Sequence, residues 1–100
     1  MNVKGKIVYI SGPMSGIHEY NKPDFYNAEL DIDRLGAKIV ISPARHPVGL
    51  THEQYMQYAM LDIDNADMIV LLPGWENSKG ARQEVNRAEI MGKPVQRFNP

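Results

Sequence analysis

The feature that most constrains this chain is its repeated alternation of short β-rich apolar runs with stretches of helical spacing. Ile7-Val8-Tyr9-Ile10 is closed by the breaker Ser11-Gly12-Pro13. A helix is expected from about residue 21, where Pro23 suits a first turn. Phe25, Ala28, Ile32 and Leu35 then recur at helical spacing, and Gly36 stops the helix. Residues 38–41 read as a second strand, closed by Ser42-Pro43. Thr51-His52-Glu53-Gln54 has the form of a capping box and opens a helix to about Asn65. Residues 68–72 are the most apolar run, expected to be a central strand buried on both faces. A last helix over 78–91 stops at Gly92, and 94–98 form a final strand.

Four strands alternating with three helices imply right-handed crossovers and a mostly parallel sheet. The expected fold is α/β: a flavodoxin- or Rossmann-like three-layer sandwich with strand order 2-1-3-4. With 100 residues, the whole of 1–100 is expected to be one domain. Ligands of such sheets sit at the carboxyl ends of the strands, near the switch point between the first and third. Two segments rich in Gly, Ser and Pro fall there, residues 11–16 and 73–80.

Composition narrows the function. Eleven basic against twelve acidic residues give a charge of −1, with no excess to hold a nucleic-acid polymer. Cysteine is absent, which removes disulfides, thiolate zinc sites and cysteine nucleophiles. The longest apolar run is five residues, far short of a membrane span, and the opening MNVKGK is too polar for a signal peptide. A cytoplasmic protein is expected. The small core makes a homodimer or higher homo-oligomer the expected assembly.

The first loop, Ser11-Gly12-Pro13-Met14-Ser15-Gly16, lets backbone amides approach a ligand and adds hydroxyl donors; it reads equally as a tight turn. Its glycine spacing fits neither a dinucleotide fingerprint nor a P-loop. In the second, Ser78 is a good N-cap, and the helix start behind it offers free amides and a positive dipole end. Lys79 and Arg82 add charge for a phosphate. Glu84 sits beside the apolar stripe of Ala81, Val85 and Ala88, where a carboxylate could face the cleft, its ionised form favoured by the helix N-terminus. Pattern alone favours the plainer reading, an exposed acid. Trp75 could stack on a base or plug the edge of the core, and Tyr9 could pack in the sheet or reach the cleft.

His18, His46 and His52 show no metal-ligand spacing, and His46 and His52 are expected to be solvated in a loop. Asp62, Asp64 and Asp67 read mainly as solvated helix-end residues, with Asp62 or Asp64 as a minor functional candidate. Tyr55, Ala59 and Ile63 are expected in the core, with Met56 and Met60 filling a gap to a partner chain.

YISGPMSG followed by LLPGWENSKGARQEVNRAEIMGKPV resembles the small, often phage- or prophage-encoded domain family of unknown function related to nucleoside 2-deoxyribosyltransferases. The resemblance covers nearly the whole chain. It implies a flavodoxin-like fold and an N-glycosidic site at a dimer-forming sheet edge, with no cofactor. Ser78, Gly80 and Glu84 match the pattern whose serine binds a 5′-phosphate and whose glutamate is the nucleophile. Tyr9 matches a tyrosine that orients this carboxylate, and Ser11, Gly12, Ser15 and Gly16 match the loop lining the nucleotide pocket. Trp75 and Met14 would flank the base, beside Pro13 and Gly74. Related enzymes carry an aspartate about eight residues before the Asp that opens the third strand; here that position is Ala59. Asp62, one turn along and displaced by roughly 5 Å, is the available replacement.

Two main functions follow as expectations. One is hydrolysis or transfer at the N-glycosidic bond of a (deoxy)nucleoside 5′-monophosphate through Glu84. The other is a non-catalytic protein that binds or sequesters a nucleotide in the same pocket. A third reading, an interaction module using the Met-lined helix, leaves the pocket idle.

Overall fold

A computed structural model describes residues 1–99. The strands are β1 (Ile7–Ser11), β2 (Ile39–Ile41), β3 (Met68–Leu71) and β4 (Val95–Arg97). The helices are α1 (Lys22–Arg34), α2 (His52–Asn65) and α3 (Lys79–Ile90). All strands are parallel, in the order β2-β1-β3-β4, so the expected α/β topology is the one observed. The two edge strands are each a residue or two shorter than their apolar runs.

Alternation along the central strands sorts side chains between two cores. Val8, Ile10, Met68, Val70 and Leu72 face α1, where they meet Phe25, Ala28 and Ile32. Tyr9, Ile69 and Leu71 face the other way, onto Ala59 and Ile63 of α2 and Val85 and Ala88 of α3. The result is three layers, helix on sheet on helix. Phe25 and Ile32, both fully buried, contribute about 1.5–3 kcal/mol each by leaving water.

Local chemistry sets the helix starts. The Thr51 hydroxyl accepts from the Gln54 amide while the Gln54 side chain accepts from the Thr51 amide, the reciprocal box expected. Ser78 Oγ accepts from the Ala81 amide at 3.1 Å and caps α3. Lys93 Nζ donates to the Asp64 and Ala66 carbonyls, which the end of α2 leaves unpaired. Ahead of α1, Glu19, Tyr20 and Asn21 hold positive φ in succession, a left-handed stretch with no signal in the sequence. Asn21 Nδ2 ties it down by donating to the Pro13 carbonyl at 2.9 Å.

Met56 and Met60 pack on the core between α2, α3 and the sheet. The three aspartates disperse to separate partners: Asp62 to His46, Asp64 to Arg87, and Asp67 to the Ile7 amide. Among the described residues, no helix is long and apolar enough to cross a membrane.

The ends of β1 and β3 approach closely at Gly12, where the Leu72 amide donates to the Ser11 carbonyl at 2.8 Å. A Cβ on Gly12 would stand 2.8 Å from Leu72 Cβ, an atom fixed to the backbone. Gly12→Ala must therefore part the two strand ends. Urea denaturation should show a loss of about 1–3 kcal/mol.

Candidate functional site

Helical geometry puts Glu84 inside the apolar stripe of α3. Residues 81, 84, 85 and 88 share one face, and Glu84 is only 7% exposed. The exposed acid favoured by pattern is not what forms. On the sheet side, Tyr9 and Ser11 are two residues apart on β1 and so project toward α3 together. Tyr9 Oη donates to Glu84 Oε2 at 3.0 Å, and Ser11 Oγ donates to Oε1 at 2.7 Å. Each carboxylate oxygen thus has its own hydroxyl donor.

Burial nevertheless dominates and pushes the Glu84 carboxyl from an ordinary 4.5 up to about 7. The Ser11 and Tyr9 hydrogen bonds pull it down, and the Asp62 charge adds to the rise. The helix N-terminus was expected to favour the ionised form. Glu84 lies beyond the first turn of α3, where that field has faded, and desolvation wins. Burial, then the neighbouring Glu84 charge, raises Tyr9 well above its ordinary value, so its hydroxyl keeps its proton and remains a donor.

Glu84 opens on a cavity of about 500 Å³, within the range of small-molecule sites. Of the expected binding residues, Gly12, Met14, Ser15, Ser78, Lys79 and Gly80 line it, with Tyr9 and Glu84. Ser78, the exposed Lys79 and the start of α3 form one end. The Lys79 and Gly80 amides there have no backbone partner among the described residues.

Other expected residues sit off the cavity wall. Ser11 lies behind Glu84 and holds it. Trp75 is half-buried against the α2–α3 core, the plugging alternative. The Arg82 guanidinium donates to the Glu76 carbonyl and secures the turn before α3. Pro13 packs near Gly74, whose positive φ turns the chain after β3, and Gly16 occupies an exposed turn. The Asp62 carboxylate stands behind His46 rather than on the wall.

The wall that sequence reasoning missed is the segment after β2. His46, Pro47, Val48, Gly49 and Leu50 all line the cavity. Tyr55 pins this segment: its hydroxyl donates to the Pro47 carbonyl at 2.8 Å and accepts from the Leu50 amide at 3.3 Å. The rule that ligands gather at strand carboxyl ends covers β2 as well as β1 and β3, and applied to all three it finds this loop. His46 is not solvated. Its side chain is 11% exposed, Nε2 meets Asp62 Oδ2 at 2.8 Å, and the ring lies 4.8 Å from that of Tyr58. His52 stands exposed at the mouth beside Gln83, and Ala59 presents only a methyl group.

A doubly covered parallel sheet with a cavity at its carboxyl ends and a buried carboxylate on the cavity floor defines an α/β domain with a candidate small-ligand site. A solved structure titled "2-desoxiribosyltransferase from Leishmania mexicana" has this fold, with a TM-score of 0.73 and 18% identity. The match covers 93% of this chain and 63% of that one, so the chain spans less than two thirds of its length. No curated protein matches. The family described as "Domain of unknown function (DUF4406)" matches residues 6–97, and the chain belongs to it.

Between about pH 4.5 and 7 the folded chain keeps a proton on Glu84 that the unfolded chain has released. Stability from this group therefore falls as pH rises through that window. Above it, the ionised buried carboxylate costs on the order of 3 kcal/mol. Glu84→Gln removes the titration. Its stability relative to wild type should rise by about 2–3 kcal/mol from pH 5 to pH 8, measured by denaturant titration at both pH values.

Proposed function

We propose that the cavity takes a (deoxy)nucleoside 5′-monophosphate and hydrolyses or transfers its N-glycosidic bond. The observation that carries this reading is Glu84, a buried carboxylate gripped by two hydroxyls and opening on a ligand-sized cavity. Glycosidic bonds break through an oxocarbenium-like centre at C1′, which a carboxylate attacks or shields. With a pKa of about 7, Glu84 is partly ionised at neutral pH and basic enough to bond carbon. Tyr9 and Ser11 fix both its oxygens, so orientation is set before substrate arrives.

The phosphate goes to the start of α3. There Ser78, Lys79 and the free amides around Gly80 supply donors and the positive end of the helix. Met14, Tyr55 and Met56 offer apolar wall for the base. Carboxylate chemistry alone cleaves such a bond, so the proposed reaction calls for no metal or organic cofactor. We place it in the cytoplasm, in a homodimer or larger assembly. Tyr58 and Leu61 on α2, with Ile90 and Met91 at the end of α3, leave apolar surface that supports the assembly. One observation favours a second reading, a nucleotide-binding protein without catalysis: Ala59 leaves no carboxylate at its place on the wall.

The experiment incubates the protein with mixed ribo- and deoxyribonucleoside monophosphates and scores free base, sugar phosphate and retained nucleotide by mass spectrometry. Free base from wild type and none from Glu84→Gln is the expected result. Intact nucleotide retained by both, without free base, would leave the binder. The phosphate assignment has its own check. A Cβ on Gly80 would meet His52 and Met56 at 3.7 Å and Ser78 Oγ at 4.0 Å, all ordinary contacts, so the fold tolerates it while it occupies the cavity. Gly80→Val should weaken nucleotide binding at least about tenfold with melting temperature held, read by calorimetry.

A further inference from the structure

Resting on the glycosidase reading above, we propose that His46, oriented by Asp62, is the acid that protonates the departing base and the base that then activates water. Ala59 leaves the cavity wall without an aspartate, yet a proton-transfer group stands on that wall. His46 is held on two sides. Its Nε2 donates to the Asp62 carboxylate at 2.8 Å, and its ring lies against Tyr58 at 4.8 Å, the planes tilted by 31°. That bond commits Nε2 and leaves Nδ1 as the nitrogen that gains or loses a proton. Nδ1 has no hydrogen-bond partner among the described residues, where no buried side-chain nitrogen or oxygen lacks one, so Nδ1 is not buried; the residue that carries it lines the cavity. The arrangement is an imidazole steered by a carboxylate behind it, as in hydrolytic triads.

In the first step the C1′–N bond breaks and its electron pair moves onto the base. The Nδ1 proton of the imidazolium passes to the base, while a Glu84 oxygen bonds C1′. In the second step the neutral imidazole takes a proton from water, whose oxygen bonds C1′. The Glu84–C1′ bond breaks, its electron pair returns to the carboxylate, and His46 is protonated again. Nucleotide and water become free base and sugar phosphate. Asp62, off the wall, is a positioning residue that holds the ring through Nε2.

Two substrates separate this role from a structural one. Deoxynucleoside monophosphates need a proton on the leaving base; 4-nitrophenyl 2-deoxyribofuranoside 5-phosphate releases a phenolate that does not. His46→Asn should lower kcat/KM on the nucleotides by about 10²–10⁴-fold and leave kcat/KM on the aryl substrate, which reads only the first step, within a few-fold of wild type, while its kcat falls with the slowed attack of water. Glu84→Gln should lose both. Asp62→Asn should lower kcat/KM on the nucleotides by about tenfold and spare the aryl substrate. Equal loss of His46→Asn on both substrates, or no loss on the nucleotides, overturns the assignment of His46 alone. A wild type that cleaves neither substrate overturns the glycosidase reading and the acid with it. Melting temperature and nucleotide retention of His46→Asn and Asp62→Asn report their folding.

Discussion

A carboxyl group placed in the apolar stripe of α3 is the constraint around which this domain is arranged. Glu84 is 7% exposed among apolar neighbours, and burial lifts its carboxyl to about 7, so part of the desolvation cost stands at neutral pH. Two hydroxyls from a neighbouring strand offset part of the desolvation. They are available only because β1 is central and projects alternate residues toward α3. The close passage of Gly12 against Leu72 then ends β1 and β3 at the same level, which opens the cavity directly over the carboxylate. Residual destabilisation of this kind is a frequent mark of a site kept for chemistry.

Three strand ends contribute to the cavity, each through a different device. After β1 it is a glycine turn, and after β3 a short helical turn leading into the capped start of α3. After β2 it is a loop that has no regular structure beyond Arg45 and is held by the Tyr55 hydroxyl. The fold is shared with a deoxyribosyltransferase at low identity, and a fold at that distance carries no chemistry of its own. The cavity wall of this chain carries Glu84, a methyl group at Ala59 and His46, with Asp62 behind the imidazole.

The topology was readable because each cue is local: β-rich runs, breakers, a capping box and crossover handedness leave few arrangements. Glu84 was readable in position but misjudged in environment. The spacing put it at the edge of the stripe of Ala81, Val85 and Ala88, and its charge argued for the surface. The resemblance to deoxyribosyltransferase relatives pointed to the cleft instead. His46 was not readable as a wall residue, because nothing near it in sequence pairs with it. Its partner is sixteen positions away on α2. Trp75 was open between two roles, and its ring went to the core.

Strand order, layer assignment, helix caps and the segments that follow β1 and β3 at the mouth of the sheet follow from patterns within a few residues, since backbone hydrogen bonding and side-chain periodicity act over that range. The ionisation of Glu84, the His46–Asp62 contact and the shape of the cavity depend on which groups meet across the sheet and how much water they exclude. Desolvation and pairing are properties of three-dimensional surroundings, so only the folded chain decides them.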